Sequence, residues 1–186
     1  MNPFIQHIPN HFIGLILLSN GSNTDANSND VVVVVHDNKN SGTIGLCINH
    51  PLRLTLNDFD EKIWGNFNQV PVFKGGPTQP QQIIVTSLDW DQQQQRLKWQ
   101  LGLNQQQATR LMMDQPKTRF KAYCGHINWA PGQLFKDIQD MTWLPIPLPS
   151  KKIFSISNPR LWDTLMLKFY PSKLKSKSLP KNLSLN

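Results

Sequence analysis

The sequence has few cysteines, a single glutamate and no long apolar run, and each shortage removes a class of protein. Cys47 and Cys124 are its two cysteines. Each sits in an apolar stretch far from the other, which fits two buried free thiols in a reducing compartment rather than a disulfide framework. No Cys-x-x-Cys or Cys/His zinc spacing occurs. The five histidines, His7, His11, His36, His50 and His126, show no metal spacing such as H-E-x-x-H. Glu61 is the lone glutamate, so paired-carboxylate catalysis would have to use aspartates. No G-x-S-x-G nucleophile elbow and no G-x-G-x-x-G fingerprint is present. The apolar run from Phe12 to Leu18 has seven residues. It is too short to span a bilayer and has no Lys or Arg before it, unlike a signal peptide. It reads as a buried strand. No cofactor is implied, and the expectation is a cytoplasmic protein without membrane contact.

What is present suits one domain. The chain has 186 residues, 39% of them hydrophobic, and a chain of this size buries roughly 70% of its unfolded surface without a staple. The net charge of +7 is uneven. Lys168, Lys173, Lys175, Lys177 and Lys181 lie in a stretch with no acid after Asp163. Upstream, fourteen basic residues face twelve acidic ones, a net of +2 for residues 1–167. The expected organisation is one domain over residues 1–171 and a basic, disordered tail over 172–186. Such a tail can touch nucleic acid weakly through counterion release. No helix-turn-helix signature is legible.

The valine run Val31 to Val35 predicts a strand covered on both faces, paired as an antiparallel hairpin with Thr43 to Ile48. Leu54 to Trp64 reads as a weak helix. Val70 to Phe73, Gln82 to Ser87, Leu97 to Leu101 and Arg119 to Gly125 read as strands, with a turn at 90–95. Asn104 and Gln107 predict a capping box. Pro131 suits a first helical residue, followed by a buried stripe of Leu134, Phe135, Ile138 and Met141. Thr142 to Ile146 is extended. A last helix is expected to start at Asn158-Pro159 and bury Trp162, Leu165, Met166 and Phe169.

Two elements have ligand-binding potential. Gly75-Gly76-Pro77 offers backbone N–H groups to an anion, or else forms a tight turn needing positive φ. It is not a phosphate loop, since no Lys-Ser/Thr follows. Pro131-Gly132-Gln133 opens a helix whose N–H groups attract negative charge, with Asn128 and Gln133 able to hydrogen-bond a ligand and Trp129 beside them. The candidate pocket is therefore Gly75, Gly76, Asn128, Trp129, Gly132 and Gln133. His36 and Asp37 are adjacent, but neighbours in a strand face opposite ways, so they do not form a relay.

Four segments together resemble the YqgE/AlgH family of bacterial proteins. They are Gly42-Thr43-Ile44-Gly45-Leu46-Cys47-Ile48-Asn49-His50-Pro51; Val70-Pro71-Val72-Phe73-Lys74-Gly75-Gly76-Pro77-Thr78-Gln79-Pro80; Tyr123 to Leu134 with Trp143; and the helix beginning before Trp162. Their order and spacing cover roughly residues 12 to 170. The resemblance implies an α+β fold: a mixed, largely antiparallel, forked β-sheet curled into a pseudo-barrel with flanking helices. It also implies a role in transcriptional regulation. The family pattern has Cys-Glu-His where this chain has His36-Asp37-Asn38, Arg at His50, His at Thr86 and Tyr-Ala-Gly at His126-Ile127-Asn128. The retained residues are mostly glycine, proline, tryptophan and aliphatic types, which set turns and cores. The replaced ones include side chains that move protons. The expected function is a non-enzymatic regulatory or interaction module with a protein or small-molecule partner. The alternative is a small-molecule or anion-binding protein, including an enzyme, with a pocket near Trp129 and Gln133.

Overall fold

The computed structural model describes residues 12–20, 29–91, 96–147 and 160–175. Strands are β1 (Ile16–Ser19), β2 (Val31–Asn38), β3 (Gly42–Cys47), β4 (Pro51–Thr55), β5 (Pro71–Lys74), β6 (Thr78–Asp91), β7 (Arg96–Leu101), β8 (Arg119–Trp129) and β9 (Trp143–Ile146). Helices are α1 (Asn57–Trp64), α2 (Gln105–Asp114), α3 (Gln133–Gln139), α4 (Leu161–Phe169) and α5 (Pro171–Lys175).

The valine run sets the centre. Val31 to Val34 are fully buried and Val35 nearly so. Side chains alternate across a strand, so one apolar run feeds two cores. Val31, Val33 and Val35 pack with Leu46, Ile48 and α4. Val32 and Val34 pack with Cys47, Trp129, Leu134 and Trp143. Each buried valine contributes roughly 1.5–3 kcal/mol relative to exposure. β2 and β3 pair antiparallel as expected, with a bulge between Val34 and His36.

The sheet runs β4-β5-β8-β3-β2-β1-β9, with β6 on β8 and β7 on β6. Only β5 and β8 pair in parallel among the described strands. The fork lies along β8. Its first half, Ala122 to Cys124, sits between β5 and β6, while Ile127 to Trp129 pair with β3. The result is a mixed sheet curled into a half-barrel with several helices. A third core, with Leu56, Phe67, Val72, Val85, Ala108 and Ala122, fills the β5–β6 side.

Several local expectations change. Pro51–Thr55 is a strand, where a helix was predicted from Leu54, because pairing with β5 overrides a weak helical pattern. Asp58 instead caps the turn into α1, accepting from the Thr55 backbone at 2.7 Å. β6 runs on to Asp91, paired with β7, so Trp90 and Asp91 are strand where a turn was predicted over 90–95; residues 92–95 lie outside the described residues. β8 continues past Gly125, whose φ of +69° bends the strand without ending it. The capping box at Asn104 and Gln107 forms as expected. Phe135 is exposed, since α3 turns only Leu134 and Ile138 inward. α4 buries Trp162, Leu165 and Met166, and the Trp162 indole donates to Ser19 O at 2.9 Å. Its predicted start at Asn158-Pro159 lies outside the described residues, as does the tail beyond 175; helix α5 carries regular structure past Pro171 to Lys175.

Candidate functional site

The corner around Trp129 has a different geometry from the one predicted. Gln133 N donates to Ala130 O at 2.9 Å, and Gly132 has φ 76° and ψ −11°. This is a type II turn with Pro131 at its second position and Gly132 at its third. Pro131 therefore precedes α3 by two residues rather than opening it. The Gln133 side chain accepts from Ala130 N at 2.9 Å, so its carboxamide oxygen is engaged within the turn. Trp129 is 2% exposed, lies over Gly45 and meets Trp143 edge-on at 5.6 Å. Asp137 is desolvated by burial, which raises its carboxyl pKa against a hydrogen bond from Trp129 that lowers it. Asn128 is exposed on β8. The tryptophan is a core residue, packed with Val32, Val34, Leu134 and Ile138. Two surface hollows, of about 390 and 290 Å³, lie at α2 and between α2, β6 and Trp64, and none of the six predicted pocket residues lines them.

Gly75 and Gly76 are glycines because of space, not positive φ. Neither has a positive φ. A Cβ at Gly75 would sit 2.2 Å from Gly125 O, and one at Gly76 would sit 2.2 Å from the His126 carbonyl carbon. These contacts let two backbones cross at the fork. Gly75 N donates to Cys124 O and Gly75 O accepts from Cys47 N, both at 2.8 Å. Gly75 N–H is thus taken by the sheet and is not free for an anion.

Cys47, whose N–H donates to Gly75 O, stands opposite Val32 at the open end, or mouth, of the β2–β3 hairpin, where the structure gathers a cluster that sequence reading missed. Asp30, Cys47 and His50 bring a carboxylate oxygen, a thiol and an imidazole nitrogen within 4.8 Å of one another. His50 Nε2 lies 2.7 Å from Asp30 Oδ1, and Cys47 Sγ lies 3.7 Å from the same oxygen. Asn49 ties the two segments together. It is fully buried, its Oδ1 accepts from Val31 N at 2.8 Å and from Cys47 Sγ at 3.2 Å, and its Nδ2 donates to Asn29 O at 2.7 Å. The side chains of His50 and Asp30 are 33% and 26% exposed, so the cluster opens to solvent. Burial, and then the Asp30 carboxylate, push the Cys47 thiol far above its ordinary range. Asp30 Oδ1 touches both the thiol and the imidazole. A cysteine nucleophile needs the imidazole against the sulfur and the carboxylate behind it, so this order keeps the thiol protonated.

The sequence signal for this cluster was faint. Cys47 and His50 stand three apart, but Asp30 is the residue before β2, and only pairing β2 with β3 brings it near. His36 is exposed on β2, and Asp37 accepts from Thr43 Oγ1 at 2.7 Å and Phe12 N at 3.0 Å, so these two form no relay. Elsewhere, burial lowers Lys121 to about 8, with its amine 4.6 Å above the Phe73 ring.

Comparison with known proteins bears on the whole arrangement. Among curated relatives, a UPF0301 protein of Myxococcus xanthus is 26% identical over 151 residues, covering 76% of this chain and 82% of that protein. A UPF0301 protein of Legionella pneumophila strain Corby is 26% identical over 174 residues, covering 86% and 88%. Two solved structures share the fold. Protein DIP2367 from Corynebacterium diphtheriae has a TM-score of 0.64 at 16% identity, covering 94% of this chain and 97% of that one. The solution structure of the AlgH protein from Pseudomonas aeruginosa has a TM-score of 0.62 at 19% identity, covering 93% and 97%. A family profile described as AlgH-like, DUF179, matches residues 16–172, and the chain belongs to that family.

Proposed function

We propose that the protein is a non-enzymatic regulatory or interaction module that acts by contact on a protein or small-molecule partner in the cytoplasm. On this reading it serves transcriptional regulation through that partner. Nucleic-acid contact is left to the basic C-terminal segment, weak and salt-dependent.

The observation that carries this reading is strand β4. It lies at one end of the described strand order, paired with β5 alone. Leu52 and Leu54 are 37% and 39% exposed, and Phe59 on the adjoining α1 is 43% exposed. Arg53 holds φ 57°, within a register shift between Pro51 and Leu54. A non-glycine residue there carries strain of roughly 1–2 kcal/mol, of the kind found at functional surfaces. A bulged edge discourages strand addition, so contact is through the apolar side chains.

The test is complementation. Cells lacking the protein receive the wild type or the Leu54→Asp/Phe59→Asp variant, and transcript profiles are compared. Both side chains are exposed, so the variant keeps its circular dichroism. The expected result is a folded variant that fails to restore the profile and releases a partner that the wild type captures. Full restoration by the folded variant overturns the reading.

A further inference from the structure

The cluster at the hairpin mouth has the composition of a metal site rather than of a packed core. Its three donors are of three kinds, and all three point at one another. Its rim is open on the His50 and Asp30 side. We propose that Asp30, Cys47 and His50 bind a divalent transition-metal ion of the Zn²⁺ type. The inference stands on the cluster's geometry and does not depend on the regulatory reading.

The donor set selects the ion. A thiolate and an imidazole suit Zn²⁺ and its borderline neighbours, whereas Mg²⁺ and Ca²⁺ take oxygen donors. Ligands held about 2.0–2.3 Å from a tetrahedral ion stand about 3.3–3.8 Å apart. The Cys47–Asp30 separation of 3.7 Å already meets that spacing. The His50–Asp30 contact at 2.7 Å must widen by about 0.6 Å to meet it. It widens because the ion replaces the hydrogen bond that closes the pair. The step balances simply. The ion takes the thiolate, the carboxylate and the imidazole Nε2; the thiol proton leaves to solvent, and the imidazole proton moves to Nδ1. Water fills the fourth position. Asn49 acts as a positioning residue, since its side chain fixes the Asn29–Val31 segment against Cys47.

The experiment uses the tag-free full chain, stripped with chelator and titrated with Co²⁺ and then Zn²⁺. One Co²⁺ per chain is expected, with a sulfur-to-cobalt charge-transfer band and tetrahedral visible bands that Zn²⁺ displaces. Cys47→Ser should abolish the charge-transfer band, while Cys124→Ser retains it. His50→Gln and Asp30→Asn should each weaken Zn²⁺ by more than about tenfold. These two positions are partly exposed, so they decide the matter even if Cys47→Ser unfolds. Absence of saturable binding overturns the proposal. So does a band that survives Cys47→Ser, or Zn²⁺ affinity unchanged in both His50→Gln and Asp30→Asn.

Discussion

The two ends of the β2–β3 hairpin are built from opposite materials. At the turn end, Thr43 pairs with Trp129, and Gly45 leaves room for its ring. A Cβ on Gly45 would lie 2.8 Å from the indole. The neighbours are Trp143, Leu134 and Ile138, all buried. At the mouth, Asn49 is buried among hydrogen bonds, and Asp30 and His50 reach solvent. One end is closed by shape and the other is tied by polar atoms. Residues that suggested a pocket by their chemistry, Trp129 and Gln133, serve the closed end. Residues that suggested nothing individually make the open end.

The largest effect expected from this contrast is at the turn end. Trp129→Ala removes an indole that is 2% exposed and contacts Trp143. Such truncations cost about 3–5 kcal/mol, because the cavity adds to the lost burial. Urea unfolding should show that loss with the denaturant slope unchanged. A variant of wild-type stability that has lost partner or ligand binding would make Trp129 a recognition residue and dissolve the contrast.

Asn49→Ala tests the mouth. It strands the buried Val31 N–H and removes the tie to Asn29 O. An unsatisfied buried donor costs about 1–3 kcal/mol, so thermal unfolding should place this variant below wild type but above Trp129→Ala. The same variant should weaken Co²⁺ binding, because nothing then fixes Asp30 against Cys47. A loss of stability with metal affinity intact would show that Asn49 holds the fold without shaping the cluster.

The sequence made the hairpin legible because five valines in a row have few other places to go. The capping box was readable for a similar reason, since it depends on residues close in sequence. β4 was misread because its pairing with β5 is a tertiary fact, while its own pattern is weakly helical. The glycines at 75 and 76 were visible as a constraint, but its cause was not. Positive φ is a local property, whereas a Cβ meeting Gly125 and His126 depends on a crossing about fifty residues away in the chain. The Asp30–Cys47–His50 cluster escaped for the same reason. Its members follow no motif spacing and converge only when β2 pairs with β3, Val32 opposite Cys47. His50 also stands where the family resemblance expects arginine, so kinship pointed away from it.

The smallest expected effect lies at Gln133, and it tests whether burial is what separates the two ends. Gln133 and Asn49 both use a side-chain oxygen to accept from a backbone N–H, at 2.9 and 2.8 Å. The geometry is alike and the surroundings are not. Ala130 and Gln133 are exposed, so water takes over the Ala130 N–H when the carboxamide is removed. The Ala130–Gln133 backbone turn remains, since it needs only Pro131 and Gly132. Gln133→Ala should therefore cost under about 1 kcal/mol, the range of an ordinary surface change. A cost equal to that of Asn49→Ala would mean that the type II turn, not burial, limits stability here. A small molecule whose thermal shift vanishes in Gln133→Ala, with the fold intact, would place a ligand at this corner.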